Sequence, residues 1–464
     1  MKTIKIVAIL FIALIILPQC SEDFLEKQPP QDYAQVEILS TYEGCENAMI
    51  GAYSPFQWTG SYGLDAAALP DVLSNNVKKS EYKGSGRYIS QYEFFFSAEN
   101  TINLWFAAYT SIARANNILE ALPGITDAGD YTEAELNKLE AEARFIRGLC
   151  HFDLVKWYAQ SYQFTAEASH LGVPIIKKTE IGEPSRNTVK EVYDFVIEEL
   201  TYAAENLDNS KIPFFANKAA AYALLSRVYL YKEDWPNAEA AATSSLAEVS
   251  TVYTATEWVD SWDLFGDGEA LFEISNNPAS DSDVPGGGEN FPSLYDYAGY
   301  GDLVLTDDVV AIFDPADIRG NIIYADANGE YRCMKYPGYN GVVGVDNFIV
   351  IRVSEVYLNR AEARIEQTGK QAEALADINM IRTNRGLAAL AIVDIDDILL
   401  ERRRELLLEG HQLFDFTRRG MDVDRGADCY ASVTYVPYGN YLLAFPIPDN
   451  EVNANSNMVQ NPNN

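Results

Sequence analysis

The chain has 464 residues, 48% of them hydrophobic and 12% aromatic, enough to fill a large core and to exclude a disordered protein. Its 68 acids against 35 bases give a formal net charge of −33, which repels phosphate backbones and excludes nucleic-acid binding without a strong local basic stripe. Three histidines against 29 tyrosines favour contact through rings over proton shuttling near neutral pH.

At the N-terminus, Lys2 and Lys5 precede the apolar run Ile6–Leu17, which is followed by "PQC". That is the anatomy of a secretory signal, too short to span a bilayer comfortably. Residues 1–19 are expected to be removed and Cys20 to be lipidated, although Gln19 stands where a lipoprotein box prefers a small residue. The removal takes two lysines and no acids, leaving 33 bases against 68 acids, a charge of −35. No later stretch reaches the length of a transmembrane helix. Cys45, Cys150, Cys333 and Cys429 have no C-x-x-C spacing, so zinc is not expected, and Cys150 reads as a small core residue.

Residues 20–250 are expected to form an N-terminal helical module interrupted by an irregular segment at 56–96. Apolar residues recur at three and four along "LWFAAYTSIARANNILEAL". The next helix starts at Thr132, with Glu135 completing a capping box. The stretch "NKAAAYALLSRVYLYKEDWPNAEAAATSSLAEV" fits a tetratricopeptide template. Tyr222, Leu225, Ser226, Tyr229 and Ala238 occupy its large, large, small, aromatic and small positions.

From 251 to 345 glycine, proline, aspartate and tyrosine rise and helical periodicity fades, predicting a loop-rich insert, a kind of segment that is usually functional. Asn-Gly in "YADANGEYRCMKY" predicts a hairpin. Trp258 and Trp262, four apart, read as core. The acidic turns "DLFGDGEALF" and "PASDSDVPGG" match no EF-hand and read as solvated turns rather than calcium sites.

The C-terminal module, 346–464, opens with a second helical pair turning at Gly369. It also holds "ERRRELLLEGHQLFDFTRRG", Glu401–Gly420. Taken as one helix to Arg418, it puts Leu406, Leu413 and Phe414 on one face and sets Glu401, Glu405 and Glu409 beside the arginines at i, i+4. His411 has no nucleophile or metal partner in sequence, so the stretch reads as a structural clamp. The expected fold is a single, mostly α globular unit. Three or four tetratricopeptide-like helical pairs form a curved frame that carries long irregular inserts and minor β-hairpins.

Four stretches, "ERRRELLLEGHQLFDFTRRG", "FIVIRVSEVYLNRAEAR", "EARFIRGLCHFDLVKWY" and "AFPIPDNEVNANSNMVQNP", resemble the RagB/SusD family of nutrient-binding lipoproteins. Glu22 and Asp23 after Cys20 are similar to that family's surface-export signal. The resemblance implies a glycan-binding protein without catalysis or cofactor. Such a protein is anchored to the outer membrane through Cys20, faces the exterior and caps a TonB-dependent, SusC-like transporter. The inserts match no family motif, so ligand choice is not implied.

Sugars are held by flat aromatic faces together with planar hydrogen-bonding groups. The residues offering both are Trp58, Tyr62, Asp71, Asn75, Asn76 and Arg87 in the first insert, and Tyr295, Tyr297 and Tyr300 in the second. Trp105 at a helix head joins them as ligand-binding candidates. A surface glycosidase, which needs a carboxylate pair, and a transport protein for peptides or another nutrient are the rival readings.

Overall fold

The computed structural model describes residues 35–125, 131–263, 268–276, 290–338, 342 and 344–462. The leader, Cys20, most of the acidic turn at 263–268 and the whole of that at 278–287 lie outside the described residues. Helices of seven residues or more are numbered in chain order. They are α1 (Tyr42–Tyr53), α2 (Asp65–Val72), α3 (Leu104–Ala121), α4 (Glu133–Tyr158), α5 (Val189–Asn206), α6 (Lys218–Tyr231), α7 (Trp235–Glu248), α8 (Val353–Ile365), α9 (Gln371–Asn384), α10 (Ile395–Glu405) and α11 (Gln412–Arg418).

From α3 to α9 each helix packs against the next, giving the tetratricopeptide-like frame. The helix starts are chemically fixed. Glu135 N donates to Thr132 Oγ1 at 3.3 Å while Thr132 N donates back to Glu135 Oε2 at 2.6 Å, and Thr188 with Glu191 repeats the box at α5. Gly369, at φ 83°, turns α8 into α9. Ser226 and Ala238 are fully buried, as the template requires, and Asn359 of α8 donates to Ser226 Oγ of α6 at 3.1 Å. Cys150 and Trp258 are core residues, and Cys45, Cys150, Cys333 and Cys429 are all free thiols.

Among the described residues, four two-stranded antiparallel sheets decorate this frame. The hairpin predicted from Asn-Gly is β4 (Ile323–Ala325) against β5 (Tyr331–Cys333), with Gly329 at φ 84°. A second local ribbon pairs β7 (Val423–Asp424) with β8 (Tyr435–Val436). The other two sheets join distant segments. β2 (Ala270–Ile274) pairs with β6 (Phe348–Arg352) and closes the second insert at its base. β1 (Val77–Lys79) pairs with β3 (Leu303–Leu305), Val77 opposite Leu305, and so zips the first insert to the second. Short strands separated by more than 70 residues leave no local pattern that would announce them.

The helix expected over Glu401–Arg418 is corrected: α10 stops at Glu405 and α11 starts at Gln412. The insert takes the carbonyls that would continue the helix. Lys335 Nζ donates to Leu407 O at 2.7 Å and Tyr336 OH to Leu408 O at 2.7 Å, while Leu408 and Gly410 sit at φ 62° and 77°. The arginine-rich stretch is a clamp, but beyond the along-helix pairs Arg404–Glu401 at 3.5 Å and Arg418–Asp415 at 2.7 Å its partners lie on other elements. Glu405 accepts from Arg319, Arg352 and Arg385 at 2.9, 2.7 and 2.8 Å. Arg418 pairs with Glu362 of α8 at 2.5 Å, and Arg402 with Asp415 at 3.1 Å.

Candidate functional site at the junction of the two inserts

β1 delivers the loop Ser80–Tyr88 to the second insert, where two carboxylates clamp it. Glu330, just before β5, accepts from Ser80 Oγ at 2.5 Å and from the backbone N of Glu81 at 2.7 Å. Asp302, just before β3, accepts from Ser85 N at 2.6 Å and Ser85 Oγ at 3.0 Å. Gly84 (φ 144°) passes so close to Asp302 that a Cβ there would lie 2.9 Å from its Oδ1, so this turn requires glycine. At the loop's end Tyr88 donates to Asp65 at 2.9 Å.

Aromatic rings and cations meet on this clamped surface. Tyr82 is 63% exposed, Tyr297 40% and Tyr430 61%. Lys83 Nζ lies 4.4 Å above the Tyr297 ring and donates to that residue's carbonyl, and Arg87 lies 4.4 Å above the Tyr300 ring. Buried Arg332 supports Tyr297 at 5.1 Å, itself held by Asp326 at 2.7 Å and Glu330 at 3.3 Å. Tyr324 on β4 is exposed beside this group, and Lys78 approaches Tyr430 at 5.6 Å. Such cation–ring pairs hold the phenols in place and leave edges, hydroxyls and charged heads for a ligand. Asp302 and Glu330 serve as loop clamps. Among the described residues, no group of His, Cys, Asp or Glu could hold a metal ion.

Of the residues expected to bind ligand, Arg87, Tyr297 and Tyr300 come together here. Five others are corrected. Tyr62 is buried, stacks on Phe348 and donates to Asp153 at 2.5 Å. Asp71 and Asn76 are buried against each other, Asn76 donating to Asp71 at 2.7 Å and accepting from Arg403 at 3.0 Å. Trp105 is almost fully buried edge-on against Tyr158 and reaches only the wall of a hollow at the start of α3, and Tyr295 stacks on Tyr336 beneath the surface. These side chains anchor the inserts to the frame. Composition identifies a ring-rich loop, but which ring turns inward depends on tertiary packing. Asn75 is half-buried, its carbonyl accepting from Arg403 and Thr306 and its Oδ1 from Gln412. Half-buried Trp58 lies apart from the tyrosines, stacked on Phe106.

Tyr82, Lys83, Tyr324 and Tyr430 join the candidate site without having been singled out from the sequence. Tyr82 and Lys83 carry a signal, since "SEYKGSGRY" sets two rings and two cations among glycines; Tyr324 and Tyr430 carry none. Burial pushes the Asp71 carboxyl up to about 6, opposed by the hydrogen bond from Asn76. Asp65 rises to about 6 for the same reason, against the pull of Tyr88.

A family profile described as starch-binding and associating with the outer membrane matches residues 23–230, and one described as the SusD family matches 320–463. A solved Bacteroides vulgatus structure, put forward as a sugar binding protein, is 30% identical and superposes with a TM-score of 0.83, covering 91% of this chain and 98% of its own. A SusD superfamily protein from Bacteroides thetaiotaomicron is 28% identical with a TM-score of 0.84, covering 91% of this chain and 100% of that one. A SusD-like protein of Bacteroides ovatus is 22% identical over 86% of this chain and 80% of its own length. No described helix is long and apolar enough to cross a membrane.

Proposed function

The chain belongs to the SusD/RagB family, and from that premise we propose that it is a cell-surface lipoprotein that captures oligo- or polysaccharide at the junction of its inserts. It passes the glycan to a TonB-dependent, SusC-like transporter and is held in the outer membrane by a lipid on Cys20. The observation that carries this reading is the β1–β3 pairing, with its carboxylate clamps, which gathers Tyr82, Lys83, Arg87, Tyr297 and Tyr300 onto one pinned surface. Pinned rings bind at little entropic cost.

Binding without hydrolysis is supported by the state of Asp302 and Glu330. Asp302 and Glu330 accept several loop hydrogen bonds each, whereas a glycosidase needs one carboxyl to give a proton and another to attack or to activate water. The test is to incubate the purified mature protein with immobilised starch, laminarin, xylan and pectin, and with a peptide library. Retention on at least one glycan without new reducing ends is expected, together with co-purification of a large outer-membrane β-barrel from native membranes. Retention of peptides alone, or release of reducing ends, would overturn the reading.

A further inference from the structure

The start of α3 and the segment Pro448–Glu451 enclose a hollow of about 300 Å³, at the lower end of the roughly 300–1,000 Å³ typical of ligand pockets. Its wall includes Phe106, which is 64% exposed. A lone exposed phenylalanine needs no explanation, but this ring is braced from behind. It stacks on Trp58 at 5.7 Å with 21° between the planes, and Arg114 lies 5.8 Å from that indole. Arg114 is fixed in turn by donating to Gly51 O at 2.5 Å. One side of Phe106 is therefore immobilised while much of the ring meets solvent.

Thr101, which donates to Pro446 O at 3.0 Å, lines the hollow, and its remaining polar side chains are Glu99, Asn103, Asp449, Asn450 and Glu451. They make no hydrogen bond or ion pair with other described residues. Carboxylates accept only, and amides both donate and accept, so the set matches sugar hydroxyls. Among the described residues, no lysine or arginine lines the hollow, so a uronate or sulfated glycan would meet like charge. The insert junction is different, because there a cation lies over each of Tyr297 and Tyr300.

We propose that this hollow is a second saccharide subsite, which stacks an uncharged, hydroxyl-rich stretch of glycan on Phe106 and engages its hydroxyls with the rim carboxylates and amides. The inference rests on the glycan-binding reading above and adds a place for one part of that ligand.

Calorimetry on the full mature protein tests it, comparing wild type, Phe106→Ala, Phe106→Trp and Tyr297→Ala. The probes are maltoheptaose, laminariheptaose, cellohexaose, xylohexaose and polygalacturonate. For any neutral oligosaccharide that the wild type binds, Phe106→Ala should weaken affinity about tenfold with an unchanged melting curve. Phe106→Trp should restore it, and polygalacturonate should bind both variants as it binds wild type. Unchanged affinity of Phe106→Ala for every neutral ligand overturns the subsite. So does loss of barrel co-purification with glycan affinity intact, which would give the hollow to the protein partner. A loss at Tyr297 with none at Phe106 overturns the subsite alone, whereas a wild type that binds no glycan overturns the parent reading as well.

Discussion

At the scale of single residues, the most charged part of the sequence is also the most structural. Glu405 is fully buried and meets three guanidiniums. Burial alone would raise its carboxyl, but Arg385, Arg352 and Arg319 together hold it well below the usual range. Replacing Glu405 with Gln leaves those buried cations under-compensated and should cost about 3–5 kcal/mol of stability in denaturant titration. Asp71 behaves in the opposite way. Its folded pKa of about 6 lies above the ordinary value of 3.8, so the folded state holds that proton more tightly. The resulting stabilisation is fully present below about pH 4 and is lost as pH rises through about 6. The difference is on the order of 3 kcal/mol. Between pH 5 and pH 8 the wild type should therefore lose more Tm than Asp71→Asn does; equal losses would place the titration elsewhere.

At the scale of elements, helices were legible and junctions were not. The capping boxes, the turn at Gly369 and the Asn-Gly hairpin all rest on residues within a few positions of each other, so their patterns survive in sequence. The break between α10 and α11 depends on Lys335 and Tyr336 arriving from the second insert, which periodicity cannot register. The same limit split the candidate site. Arg87, Tyr297 and Tyr300 were visible as ring-and-cation loops, but Tyr62 and Tyr295 look alike in sequence and turn inward. The break has a measurable signature. Gly410 sits at φ 77° with the Ala66 and Ala67 carbonyls only 3.3 and 3.5 Å from where a Cβ would stand, so Gly410→Ala should cost about 1–2 kcal/mol in chemical denaturation. The clamp on the first loop has another. Asp302→Ala removes the acceptor for Ser85 and should weaken glycan binding about tenfold while shifting Tm by only a few degrees, because the loop must then be ordered by the ligand itself.

At the scale of the whole molecule, frame and inserts share a main core, running from Cys45 to Met458 and taking in Leu271, Phe291 and Leu303 of the second insert, beside two small clusters within the frame around Ile378 and Ala238. The inserts are therefore structurally committed, and heating should melt frame and inserts in a single calorimetric transition rather than releasing the inserts first. Their packing fixes where rings are shown, while the acidic surface keeps the protein soluble around a small patch that carries cations. In the proposed function the pinned tyrosines at this junction hold the glycan. The most direct test is calorimetry of Tyr82→Ala/Tyr297→Ala against wild type, using the glycan the protein retains. A loss of at least tenfold in affinity with an unaltered melting curve is predicted; full affinity in the double variant would contradict it.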